Sequence, residues 1–86
     1  MENFPYELTI HAREQIVERD ISLEWIKRVL DSPALTEPHK TDPELRHALG
    51  VIPEYGNRVL RVVYNYTTDP WRVVTVHFDR RMKGKL

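Results

Sequence analysis

The chain has 86 residues, no cysteine, and equal numbers of acidic and basic residues, so its formal net charge at pH 7 is zero. This length allows one hydrophobic core, and the lack of cysteine excludes disulfides and cysteine-containing zinc sites. We expect a single domain over residues 1–86, with a basic tail at residues 80–86 and a homodimer as a possible source of further stability. The sequence has no signal-peptide pattern and no apolar run of membrane length, which favours a cytoplasmic protein without a membrane partner.

The first third of the chain predicts two helices. Tyr6, Leu8 and Ile10 alternate with polar residues as in a short edge strand, and Thr9 is a suitable N-cap for a helix over residues 10–19. Ser22 is an N-cap for a second helix, whose apolar stripe consists of Leu23, Ile26, Val29 and Leu30. The sequence Asp31-Ser32-Pro33 ends this helix, because proline excludes the helical conformation from the residue before it.

The rest of the chain predicts a sheet. Residues 34–43 are rich in turn formers and indicate a loop that contains at most a short strand. Three strands follow over residues 44–52, 57–66 and 72–79, joined by turns at 53–56 and 67–70 that contain proline, glycine and aspartate. Two helices followed by an antiparallel meander indicate an α+β fold with one helical layer on one sheet.

Alternation along the strands assigns residues to the two faces of the sheet. With a four-residue turn at 53–56, Leu49 lies opposite Leu60, and His47 lies opposite Val62 on the face packed against the helices. The second hairpin places His77 opposite Arg61 on the other face, and Val74 opposite Tyr64 on the packed face. That other face is predicted to contain Arg46, Ala48, Arg61, Val63, Thr75 and His77. It is either a site for an anion or RNA, or the solvated face of a half-buried sheet.

Charge is unevenly distributed along the chain. Residues 1–54 have eleven acidic and six basic side chains, whereas residues 55–86 have two acidic and seven basic ones. The C-terminal part is therefore the part suited to a phosphate backbone. The alternative is that Arg80, Arg81, Lys83 and Lys85 form a solvated tail.

One segment resembles a known family. His11-Ala12, Ile16, Arg19 and Ile21-Ser22 resemble the signature of domain of unknown function 4258, with Gln15 at a position usually occupied by arginine and Asp20 at one often occupied by glycine. The resemblance continues in residues 29–33, 59–63 and 73–76. This family is similar to the RelE/ParE group of toxin-like domains, which implies an N-terminal helical hairpin packed on one face of a twisted antiparallel sheet of three to four strands.

The resemblance implies an activity as well. Many RelE-like domains are metal-independent endoribonucleases of toxin–antitoxin systems, with no cofactor, and with RNA or the ribosome and a cognate antitoxin protein as partners. Other members inhibit a different target and many are untested, so the alternative is a non-catalytic protein-binding module of the same fold without nuclease activity. The near-zero net charge of this chain counts against strong RNA binding, because affinity for a phosphate backbone comes largely from counterion release.

Metal-free RNA cleavage needs a base, an acid, and a cation for the phosphate. Histidine suits proton transfer near neutral pH, and the planar fork of arginine suits phosphate. We predict that His77 is the acid or base, that Arg61 beside it is the catalytic cation that holds the phosphate, and that Tyr55 or Tyr66 stacks a base. The other predicted RNA-binding residues are Arg46, Arg80, Arg81 and Lys83.

Two residues of the family signature have both a functional and a structural interpretation. His11 is a third catalytic candidate, whose alternative role is a local cap or hydrogen bond. Arg19 has the alternative role of binding carbonyls at the end of its helix or pairing with an acid. His39 with His47, Asp42 and Glu44 forms only a weak pattern for a metal site.

Overall fold

Two helices cover one face of a five-stranded sheet in the computed structural model, which describes residues 4–86. In chain order the elements are β1 (Glu7–Leu8), α1 (Ile10–Glu18), α2 (Leu23–Asp31), β2 (Leu35–Pro38), β3 (Leu45–Ile52), β4 (Arg58–Asn65) and β5 (Arg72–Phe78). Short 3-10 turns are formed by Pro53–Tyr55 and Arg80–Met82. No helix in residues 4–86 is long and apolar enough to span a membrane.

The sheet differs from the expected antiparallel sheet of three to four strands. Its strand order is β1-β5-β4-β3-β2, and β1 runs parallel to β5 while the other neighbours are antiparallel. The predicted α+β class is confirmed, but the sheet is mixed and has five strands. The two outer strands fall in segments for which the sequence indicated a short strand: β1 lies in the expected edge strand at residues 6–10, and β2 lies in the expected loop at residues 34–43.

Both predicted N-caps are confirmed. The Thr9 hydroxyl accepts a hydrogen bond from the Ala12 amide, and the Ser22 hydroxyl accepts one from the Glu24 amide. These contacts satisfy amides that have no partner within the helix. The caps therefore fix where α1 and α2 begin.

The core lies between the helices and one face of the sheet. From α2 it contains Ile26, Val29 and Leu30, and from the strands it contains Ala48, Ile52, Leu60, Val62, Tyr64, Val73 and Val76. At Gly50 the backbone passes so close to α2 that a Cβ atom would lie 2.9 Å from Cγ2 of Val29. The close approach of α2 thus leaves no room for a side chain at this position unless Val29 shifts.

The predicted register of the first hairpin is wrong by one residue. Leu49 pairs with Arg61 and His47 pairs with Val63, because the connection has five residues, Pro53–Asn57, rather than four. Gly56 and Asn57 both have left-handed backbone conformations, with φ values of 67° and 58°.

This register reverses the faces of β3. Ala48 pairs with Val62 on the face packed against the helices, and Arg46 lies on that face too. His47 and Leu49 instead share the face of Arg61, which we call the second face. Leu49, Val59 and Val63 are buried outside the principal core, so this face is not a uniformly polar, solvated surface.

The predicted register of the second hairpin is confirmed over most of its length. Leu60 pairs with Phe78 and Arg61 pairs with His77. A β-bulge after Val63 then shifts the pairing, so that Tyr64 lies opposite Val73 rather than Val74.

Side chains of α1 complete the edge of β5 where β1 ends. The Gln15 Oε1 atom accepts hydrogen bonds from the Val76 amide (2.9 Å) and the Thr75 hydroxyl (2.6 Å). Arg19 Nη1 donates to the Val76 carbonyl (2.8 Å), and the Thr9 hydroxyl donates to the Val74 carbonyl (3.1 Å). Backbone groups that an edge strand leaves exposed are thereby paired within the chain. Arg19 binds a strand carbonyl rather than the end of its own helix.

Candidate functional site

A groove of about 740 Å³ lies where the end of β5 meets the two 3-10 turns. We call it the basic groove; it is lined by Arg19, Tyr55, Arg58, Val59, His77, Phe78, Asp79, Arg80 and Lys83. Four of these residues are cations, and none of the four is in a salt bridge with the residues described here. The groove therefore presents positive charge that the protein does not neutralise locally.

One wall of the basic groove is aromatic. The Tyr55 ring is 40% exposed and stacks on Trp25 with a centroid distance of 5.4 Å, and it contacts Phe78 at 5.1 Å. The Arg58 guanidinium lies over the Tyr55 ring, 4.7 Å from its centroid. Such a cation–π contact holds a flexible arginine beside the groove without using its hydrogen-bond donors.

His77 is the imidazole of the basic groove. It is half-buried near the end of β5, and its ring makes no hydrogen bond with residues 4–86. Burial lowers the pKa of His77 below its ordinary value of 6.5, and the nearby charge of Arg61 lowers this pKa further. The ring is therefore neutral at pH 7 and can accept a proton.

Arg61 is surrounded by hydrogen-bond acceptors on the second face. Its Nε donates to Asp79 Oδ2 (2.9 Å), and its Nη2 lies 2.8 Å from the same oxygen. Nη1 donates to Glu37 Oε1 (3.0 Å) and to His47 Nδ1 (2.7 Å). Burial disfavours the arginine charge, but the two carboxylates outweigh it and the pKa of Arg61 is raised.

The register places these groups together. Glu37 on β2 pairs with His47 on β3. Leu49, two residues further along β3 and on the same face as His47, pairs with Arg61 on β4. His39 extends the group, since its Nδ1 lies 2.9 Å from His47 Nε2. We call Glu37, His39, His47, Arg61 and Asp79 the Arg61 cluster.

The hydrogen bonds of the Arg61 cluster fix the tautomers of both histidines. Arginine can only donate, so His47 Nδ1 is an acceptor and the ring proton is on Nε2. That proton is then donated to His39 Nδ1. Burial, followed by the charge of Arg61, lowers the pKa of His47, which agrees with a neutral ring.

The profile of one protein family matches residues 8–78; its description is Domain of unknown function (DUF4258). The chain belongs to the DUF4258 family. Comparisons with curated proteins and with solved structures find no match. The matched range of this DUF4258 domain includes the signature segment, Arg58, Arg61 and His77, and it ends before Arg80 and Lys83.

The DUF4258 fold brings together only some of the predicted site residues. His77, Arg80 and Lys83 line the basic groove, and Arg61 is joined to it through Asp79. Arg81 is exposed and does not line the groove.

Two predicted residues lie apart from this group. Arg46 packs over the Tyr66 ring, 4.3 Å from its centroid, so the prediction that it shares a face with Arg61 is wrong. His11 is exposed in the first turn of α1, whereas Arg19 follows the last turn at the groove.

Sequence reasoning missed Arg58 as a groove residue and placed Arg19 behind other candidates. Arg58 begins β4 immediately after the turn that contains Tyr55, and this adjacency is the signal that could have found it. No set of three or more metal-ligating side chains suitable for an ion occurs within residues 4–86.

Proposed function

We propose that this DUF4258 domain is a RelE-like toxin domain that binds RNA in the basic groove and cleaves its backbone without a metal ion. The observation that supports this proposal is the arrangement of four unneutralised cations around the neutral imidazole of His77. Arginine donates two parallel hydrogen bonds to phosphate. A neutral imidazole can take the proton of a 2′-hydroxyl at physiological pH.

The zero net charge of the chain does not oppose this function. Most acidic side chains belong to residues 1–54, and the basic groove has a single acidic residue, Asp79. The charge of Asp79 is already paired with Arg61. Local potential rather than net charge governs the encounter with a phosphate backbone. In this proposal the domain acts in the cytoplasm and is inhibited by a cognate antitoxin protein.

The experiment is cleavage of a fluorescent single-stranded RNA by the purified domain in EDTA, compared with His77→Gln. We expect the wild type to cut the RNA and His77→Gln to lower the rate by about 10²- to 10⁴-fold, the usual contribution of general acid–base catalysis. RNA affinity should change by less than about threefold, because glutamine preserves the size and neutrality of the side chain. If His11→Gln abolishes cleavage and His77→Gln does not, the catalytic site lies at α1 and not in the basic groove. If the wild type does not bind RNA, the proposal is refuted.

One observation favours the alternative of a protein-binding module. Ile10 and Val17 are 77% and 80% exposed, and they lie two turns apart on the outer side of α1. Expression in a bacterial host separates the two functions. Nuclease activity predicts growth arrest that His77→Gln abolishes. A docking function predicts that a change in growth is abolished by Val17→Asp and persists in His77→Gln.

A further inference from the structure

Arg61 was predicted from the sequence to bind phosphate, but its contacts indicate another role. We propose that Arg61 is a positioning residue: it clamps Asp79 and thereby holds the C-terminal turn, Arg80–Met82, and Lys83 beside the basic groove. The inference deepens the proposed function, since it explains how two of the four groove cations are placed. It concerns the architecture of the groove and can be tested without RNA as well as with it.

The donors of Arg61 are already used. Nε and Nη2 contact one oxygen of Asp79, and Nη1 contacts Glu37 and His47, all at 3.0 Å or less. The Arg61 and Asp79 side chains are only 15% and 16% exposed. A phosphate would have to displace a carboxylate from a poorly accessible guanidinium, whereas Arg58 and Arg80 are exposed in the groove and form no salt bridge within residues 4–86.

Asp79 connects Arg61 to the C-terminal turn. Its second oxygen, Oδ1, accepts a hydrogen bond from the Arg81 amide (3.0 Å), which makes Asp79 the N-cap of the turn. The Asp79 carbonyl accepts from the Met82 amide (3.2 Å), and the Asp79 amide donates to the Val59 carbonyl on β4 (2.8 Å). One carboxylate thus bridges a side chain of the sheet and the backbone of the turn.

This bridge explains an acidic residue in a groove that is otherwise basic. A groove selected only for positive charge would exclude Asp79, because a carboxylate repels phosphate. Its burial alone would raise the pKa of Asp79, but the hydrogen bonds and charge of Arg61 lower it, so the carboxylate stays ionised. His47 and Glu37 hold the other end of the guanidinium and fix its direction.

Substitution of Asp79 distinguishes a clamp from a phosphate ligand by the sign of the effect. Asp79→Asn removes the negative charge and retains an oxygen for the Arg81 amide. If Arg61 is a clamp, the affinity for single-stranded RNA falls about tenfold, and the magnitude of the slope of log K against log salt decreases by up to about 1.4 for two lost phosphate contacts. If Arg61 binds phosphate, the same substitution frees its guanidinium, and both the affinity and the magnitude of this slope increase.

Arg61→Lys supplies the second arm of the test. Lysine retains the charge but cannot make the forked contact with Asp79. A clamp predicts the same loss as for Asp79→Asn, and no further loss in the double variant. Arg72→Lys is the matched control, since Arg72 is also an ion-paired arginine of the sheet, but it begins β5 and pairs with Glu7 on β1, away from the Arg61 cluster. It should leave affinity and slope unchanged.

Amide hydrogen exchange of Arg81 and Lys83 tests the clamp independently of RNA. We expect exchange at both amides to accelerate at least tenfold in Asp79→Asn and in Arg61→Lys, with β3 and β4 still protected, and to be unchanged in Arg72→Lys. Should either variant fail to fold, Asp79→Ser keeps an N-cap oxygen without the charge and gives the same comparison. Unchanged exchange at the turn refutes the clamp. If the variants show the expected changes in exchange but the wild type does not bind RNA, the clamp is supported and the proposed function is refuted.

Discussion

Gln15 is expected to stabilise the fold by satisfying the edge of β5, and Gln15→Met tests this role. Methionine preserves the length of the side chain and removes the oxygen that accepts from the Val76 amide and the Thr75 hydroxyl. Gln15 is only 8% exposed and Val76 is fully buried, so water has little access to the freed amide. The substitution therefore leaves a backbone donor without a partner.

The magnitude follows from these contacts. A buried donor without an acceptor costs about 1–3 kcal/mol, while the Thr75 hydroxyl can rotate towards another acceptor and contributes less. We expect the free energy of unfolding to fall by about 2 kcal/mol. For a domain of this size that corresponds to a decrease in Tm of roughly 8–16 °C.

Urea unfolding followed by tryptophan fluorescence measures this loss. The control is Glu18→Met, which introduces the same residue at an exposed position of α1 and should change stability by no more than about 0.5 kcal/mol. Exchange of the Val76 amide should also accelerate in Gln15→Met. A stability for Gln15→Met equal to that of Glu18→Met would show that the edge of β5 does not depend on α1, and the structural role of Gln15 would be wrong.

Two other predictions concern packing and pH. Gly50→Ala should lower stability by about 1–3 kcal/mol through the clash with Val29; a urea double-mutant cycle should show a smaller cost in a Val29→Ala background, and equal costs in both backgrounds would contradict the clash. The folded-state pKa values of His47 and His77 lie below the ordinary 6.5, so the unfolded chain binds more protons just below pH 6.5 and stability must fall as pH falls through that range. Each histidine contributes up to about 1.4 kcal/mol per pH unit to the slope of the unfolding free energy against pH. His77→Gln should reduce this slope. Urea midpoints that do not change between pH 7.5 and 5.5 would contradict the lowered pKa values.

Local signals predicted the helices correctly, and long-range pairing was harder to predict. Thr9 and Ser22 cap the helices through contacts two or three residues away, so a short stretch of sequence contains the whole interaction. The alternation of Tyr6, Leu8 and Ile10 indicates a short edge strand, but it does not show that β1 runs parallel to β5 and pairs Leu8 with Val73. Only the complete fold shows that such a segment has a partner.

The register error in β3 has a specific cause. Leu45, Leu49 and Val51 are apolar on one side of this strand, while Ala48 and Ile52 are apolar on the other, so alternation alone supports either face. Larger side chains favoured the wrong choice. The helix-covered face instead needs small residues, because α2 lies too close for a Cβ at position 50.

Sequence separation also distinguishes the predicted site residues from the missed ones. His77, Arg80 and Lys83 come from one continuous stretch and were predicted together. Arg58 and Arg19 reach the basic groove from distant elements. The carboxylates that engage Arg61 lie 24 and 18 residues away, so an ion-paired arginine and a free one looked alike in the sequence.

The signature segment of the DUF4258 domain links the fold to the proposed site. Asp20 has a φ of 53°, the left-handed conformation that favours glycine, and the Ile21 amide bonds to the Ile16 carbonyl to end α1. Gln15 and Arg19 then satisfy β5 around Val76, the residue before His77. One guanidinium nitrogen of Arg19 is fixed to the sheet while the side chain lines the groove, so we expect the segment to influence the proposed RNA binding through this residue. Loss of RNA binding in Gln15 variants would accordingly reflect the fold, whereas loss in a folded Arg19→Lys variant would reflect the groove.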